Sequence, residues 1–140
     1  PAGNLLWDPV GFVDADIAAR VLELGDVRAI IASHPHMYGV QVEWSHRLGD
    51  VPVYVSEADA EWVARQDPTI RTWSGRLTPL PGVTVIQPGG HFPAARTAHP
   101  RGDDPERLEV ELLEHPGRGG IVHEVRAFEA YEPHRPRHFD

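Results

Sequence analysis

Two histidines separated by a single proline, in the run VRAIIASHPHMYG from Val27 to Gly39, are the residues best suited to chemistry. Imidazole suits zinc and similar ions, which need three or four converging donors. Pro35 stiffens the link between His34 and His36, so both rings can aim at one ion. His91 is the third candidate, 55 positions beyond His36 in Pro88-Gly89-Gly90-His91. The two glycines let the backbone turn sharply and approach a site closely. The three residues also admit a plainer reading, as loop histidines making ordinary hydrogen bonds.

The elements around these residues decide whether they can meet. Ala29 to Ala32 is wholly apolar and reads as a strand buried on both faces, delivering Ser33-His34-Pro35-His36 at its C-terminal end. Gly3 to Asp8 is a short strand before it, broken by Pro9 and Gly11. Asp14 caps a helix whose apolar face carries Ile17, Ala18, Val21, Leu22 and Leu24, closed by Gly25. A second helix is predicted from Met37 to Leu48, with Met37, Val40, Trp44 and Leu48 as its buried stripe. Val51 to Val55 is a strand with Pro52 near its start. Ser56 and Asp59 resemble a capping box for a third helix through Trp62 and Val63, stopped by Asp67-Pro68. Ile70 to Trp73 is a short strand, Leu80-Pro81-Gly82 a turn, and Val83 to Gln87 a strand leading to His91.

This alternation predicts an α/β fold with a parallel or mixed sheet and flanking helices. The character changes after Pro93. Ala94 to Pro105 reads as a loop, Glu106 to Glu114 as either a helix started by Asp104 and Pro105 or an alternating strand, with helix preferred, and Pro116 to Gly120 as a turn. Ile121 to Ala130 fits either a helix or a strand, and Pro133 to Asp140 reads as a frayed tail. The expected division is therefore residues 1–93 and a divergent tail, 94–140.

The totals exclude several classes. One domain is the prior for 140 residues, and 41% apolar with 24% charged residues is ordinary globular composition. A net charge of −8 disfavours a nucleic-acid or anionic-membrane surface. Every basic residue apart from histidine is arginine, which reads as compositional habit. With no cysteine, disulfides, thiolate nucleophiles and thiolate ligands are excluded, so a metal site must use histidines and carboxylates. No run approaches the length of a membrane helix, and the expected location is cytoplasmic. His46 reads as solvated, Arg101-Gly102-Asp103 as coincidence, and Trp44 and Trp62 as core rather than pocket.

SHPHMYG after the strand VRAIIA, with PGGHFP downstream, resembles the metallo-β-lactamase-fold hydrolase superfamily. The resemblance extends from GNLLWD through VPVYVSEAD and covers residues 3 to 93. It implies an incomplete αββα architecture and carries His34, His36 and His91 over as ligands of the first metal site. Tyr38 and Gly39 stand where the family motif has Asp and His, so the resemblance implies one zinc ion rather than two. The family's second half finds no match in residues 94–140. One account is a truncated product whose tail is read in a shifted frame.

On that resemblance the expected function is zinc-dependent hydrolysis of an ester, thioester, lactone or amide in a small-molecule substrate, weak or lost because the motif is incomplete. The alternative is a non-enzymatic remnant that binds a metal or a protein. An incomplete fold exposes sheet edge and apolar surface, which favours homo-oligomers. A third reading is an unrelated small α/β domain with incidental histidines.

Overall fold

The computed structural model describes residues 3–9 and 11–87 and, as strands, 97–100, 108–114 and 122–128. Its centre is a parallel sheet in the order β1 (Asn4–Trp7), β2 (Val27–Ile31), β3 (Val53–Ser56) and β4 (Ile70–Trp73). Helix α1 (Ala15–Glu23) connects β1 to β2. A 3₁₀ turn, Pro35–Met37, and helix α2 (Gln41–Arg47) connect β2 to β3, and a 3₁₀ segment, Glu57–Trp62, leads on towards β4. The mixed α/β class expected from the alternation is present.

The sheet is buried on both faces. Towards the helices, Leu6, Ile30, Val53 and Val55 pack with Val13, Ile17, Val21 and Trp44. On the opposite face, Leu5, Trp7, Ala29 and Ile31 pack with Trp73, Leu80, Val83 and Val85. That second layer is an antiparallel sheet of β5 (Arg76–Leu80), β6 (Val83–Ile86) and β7 (Thr97–Pro100), not helices. The order is thus helix, sheet, sheet. Ala29, Ile30, Ile31 and Ala32 are fully buried, as a continuously apolar strand between two packed layers must be.

Several expectations need correction. Leu22 and Leu24 are exposed, because α1 ends at Glu23 and its inward stripe is Ile17, Ala18 and Val21. The N-cap is as expected: Asp14 accepts the backbone N–H of Ile17 at 2.9 Å. Gly25 closes the helix with φ +122°, a conformation that favours glycine, and a Cβ there would lie 2.9 Å from the Asn4 amide nitrogen, so a larger residue would also displace the Asn4 side chain. The helix predicted from Met37 to Leu48 is interrupted at Gly39 and Val40, and only Gln41–Arg47 is α-helical.

The third helix is a 3₁₀ segment whose cap, Ser56, accepts from the N–H of Ala58, while Asp59 is buried. Strand β5 has no counterpart in the sequence reading. Pro79 lies inside it, where β5 is an edge strand and its pairing with β6 has a register irregularity between Leu77 and Leu80, two settings that tolerate proline. Glu106 to Glu114, where helix is preferred over an alternating strand, contains strand β8 (Leu108–Glu114), which pairs antiparallel with β9 (Val122–Phe128), so the strand alternative is the one present. Thr97–Pro100, read as loop, is β7. The predicted turn Pro116–Gly120 and tail Pro133–Asp140 lie outside the described residues.

Candidate metal centre

The histidine pair leaves the C-terminal edge of the parallel sheet, where α/β folds place ligands. Asp8, just past β1, has a left-handed backbone with φ +52°. Its N–H donates to the Ile31 carbonyl at 2.9 Å, and its carboxylate accepts the N–H of Ser33 at 2.5 Å. The end of β1 thereby holds the chain where β2 gives way to the histidines. The 3₁₀ turn that follows, with Pro35 at its start, closes through Met37 N–H to His34 O at 3.0 Å and Tyr38 N–H to Pro35 O at 3.0 Å.

That turn brings the two imidazoles together. Their ring centroids are 5.2 Å apart, and the planes meet edge to face at 71°. The Ser33 hydroxyl lies 2.8 Å from His34 Nδ1, the kind of outer contact that sets a ligand imidazole's orientation and leaves Nε2 to a metal. On tetrahedral zinc, with bonds of about 2.0–2.1 Å and ring centres about 1.1 Å further on, two imidazole centroids fall about 5 Å apart. The observed spacing equals that distance, and it is equally the spacing of an edge-to-face ring contact. Among the described residues no group of three or more His, Asp or Glu is gathered as a ligand set, and His91 lies outside them.

The neighbouring positions have other roles. Tyr38 is partly buried and packs against the helix-side core. Gly39 faces open space, with nothing within 4 Å of a Cβ built there. At the end of β3, the buried Ser56 hydroxyl accepts from the Gln87 amide at 2.6 Å, tying β3 to the residue that follows β6.

Two residues behave differently from the sequence reading. His46 is not merely solvated: its Nε2 lies 3.0 Å from Asp67 Oδ2 and 3.9 Å from Asp50 Oδ1. Asp67 also accepts the backbone N–H and the hydroxyl of Thr69, at 2.9 and 2.7 Å. These two bonds, with His46 behind them, hold its carboxyl below the usual 3.8. Trp44 is core as expected, but Trp62 is 56% exposed and lines a cleft beside His36. No sequence signal separated the two tryptophans, because a 3₁₀ segment breaks the helical spacing on which both were placed.

Over 97 residues, 69% of its length, the chain is 40% identical to the uncharacterized protein YmaE of Bacillus subtilis (strain 168), and the matched part is 35% of that protein. The chain therefore spans about a third of the relative's length. No protein-family model matches it.

Proposed function

We propose that the chain is a single-zinc hydrolase domain of the metallo-β-lactamase-like type, acting on an ester, thioester, lactone or amide. The observation that carries this reading is the His34–His36 pair, two imidazoles at zinc spacing on the C-terminal edge of a parallel sheet. The helix, sheet, sheet layering supports it as well. His34, His36 and His91 hold the ion in this reading. When bound, an ion held by these residues would make a water molecule acidic enough to act as a nucleophile at neutral pH and would polarise the carbonyl.

The chain's own residues do the rest. Ser33 and Asp8 orient the ligand turn. Tyr38 stands where the family's proton-accepting Asp would be, and a phenol with a reference pKa of about 10 is a poor base at neutral pH. Turnover is therefore slow.

A second reading, a non-enzymatic remnant, is favoured by Tyr38 and Gly39, which remove the second-metal ligands. An edge-to-face imidazole pair also reaches this spacing without an ion. Zinc content separates the two. The hydrolase reading expects about one zinc per chain, lost in His34→Ala, together with measurable cleavage of p-nitrophenyl acetate or a simple lactone. Zinc-supplemented protein that carries no metal overturns it, and zinc without hydrolysis leaves the remnant.

A further inference from the structure

A cleft of about 320 Å³ opens between the Pro35–Met37 turn, the start of α2 and the stretch from Trp62 to Arg65. That volume is at the small end of ligand sites. His36, Tyr38, Gln41, Trp62 and Arg65 lie along it. His36 therefore belongs both to the imidazole pair and to the wall of the cleft.

Gln41 is the telling residue. It is only 2% exposed, and its side-chain Oε1 is buried with no hydrogen-bond partner among the described residues. A buried amide oxygen without a donor is unfavourable, and folded proteins keep few of them. Gln41 lines the cleft wall, so a rotation of its side chain would bring this orphaned acceptor to a donor bound there. Trp62 adds the complementary feature, an indole exposed at the same cleft, which offers a flat apolar platform. Arg65 is ion-paired with Glu43, which also lines the cleft, so this wall carries balanced charge.

We propose that the cleft is the substrate-binding subsite of the His34–His36 centre, and that it takes small neutral aromatic molecules bearing an N–H donor, aryl carboxamides being the simplest. The ligand's ring lies on Trp62 and its N–H donates to Gln41 Oε1. The word substrate rests on the hydrolase reading; the binding chemistry does not.

The test compares benzamide with methyl benzoate, which keeps the ring and carbonyl but lacks the donor. Binding to the full chain is followed by NMR shifts of the Gln41 side-chain amide and the Trp62 indole. Benzamide is expected to bind about fivefold more tightly, the worth of one hydrogen bond. Gln41→Leu should abolish that preference while methyl benzoate binding persists, and Trp62→Ala, an exposed position, should weaken both. Equal affinities in the wild type, a preference that survives Gln41→Leu, shifts that map elsewhere, or no binding of either probe would each overturn the proposal. Zinc content is measured on the same samples. A benzamide preference in protein that takes up no zinc defeats the hydrolase reading and the subsite's link to it, while the donor-reading cleft stands; bound zinc with no preference defeats the cleft alone.

Discussion

The Asp8 carboxylate accepts the backbone N–H of Ser33 across the ends of two neighbouring parallel strands, at 2.5 Å. Asp8 does so from a left-handed backbone, φ +52°, which Asp and Asn tolerate far better than other non-glycine residues. A carboxylate on one strand thus sets where the next strand releases His34. A group bonded directly to a ligand imidazole is worth about 10–100-fold in metal affinity, and Asp8 acts one step further out, through Ser33. On the single-zinc reading, Asp8→Ala is expected to weaken zinc binding by up to about tenfold, whereas Asp8→Asn, which keeps an acceptor oxygen and the left-handed tolerance, should lose much less. Competition with a chromophoric chelator reads both. Identical affinities in all three proteins would count against this role for Asp8.

Gly39 tests the missing half of the motif. Its φ is not positive and its Cβ position faces open space, so Gly39→His should change stability by no more than about 0.5 kcal/mol. Tyr38 packs on the core, so adding Tyr38→Asp should cost about 1–3 kcal/mol. On the single-zinc reading, zinc stoichiometry should rise from about one to about two only in the double variant. A double variant that stays at one would show that the second site needs more than these two residues.

Asp67 predicts a pH dependence. Its carboxyl is held below 3.8 chiefly by the two hydrogen bonds from Thr69, with His46 contributing less. A carboxyl depressed in the folded state binds protons less readily there than in the unfolded chain, so its contribution is full above the unfolded value and disappears as pH falls through the folded one. Asp67→Asn should therefore lower the urea midpoint at pH 7, and the gap to wild type should close below about pH 3.8. His46→Ala and Thr69→Val should each leave part of the effect, because the backbone N–H of residue 69, the largest contributor, remains in both. A gap that widens towards acid would reverse the assignment.

Trp44 joins packing to a polar anchor. It is fully buried, and its indole N–H donates to the Gly11 carbonyl at 3.1 Å, which fastens the loop before α1 to α2. Trp44→Ala should cost about 3–5 kcal/mol through the cavity it leaves. Trp44→Phe refills much of the space but strands the carbonyl, at about 1–3 kcal/mol. Urea unfolding followed by circular dichroism distinguishes the two: a Phe variant as stable as wild type would mean that the hydrogen bond contributes nothing, and equal losses in both variants would mean that the packing contributes nothing beyond it.

Much of the positioning framework was legible in local signals. The apolar run of β2, the Asp14 cap, the glycine stop at Gly25 and the proline before β3 each act within a few residues, where neighbours along the chain decide the outcome. Strand β5 was hidden because Pro79 is a strand breaker except at an edge or a register irregularity, and both belong to the sheet. Glu57–Trp62 looked helical because Ser56 and Asp59 have capping-box spacing. In the fold the segment is a 3₁₀ turn, with Asp59 buried.

The two histidines next to a buried strand were determined by the sequence itself, since His-Pro-His after an apolar run leaves the backbone few alternatives. Tertiary structure decided what surrounds them. Asp8 and Ser33 are 25 positions apart, and Gln41 and Trp62 meet one cleft across an intervening strand. Parallel strand pairing and packing between layers create those meetings, and neither leaves a period or motif in the chain. A hydrogen bond between strand ends, or a buried acceptor facing a cleft, exists only once the layers have closed.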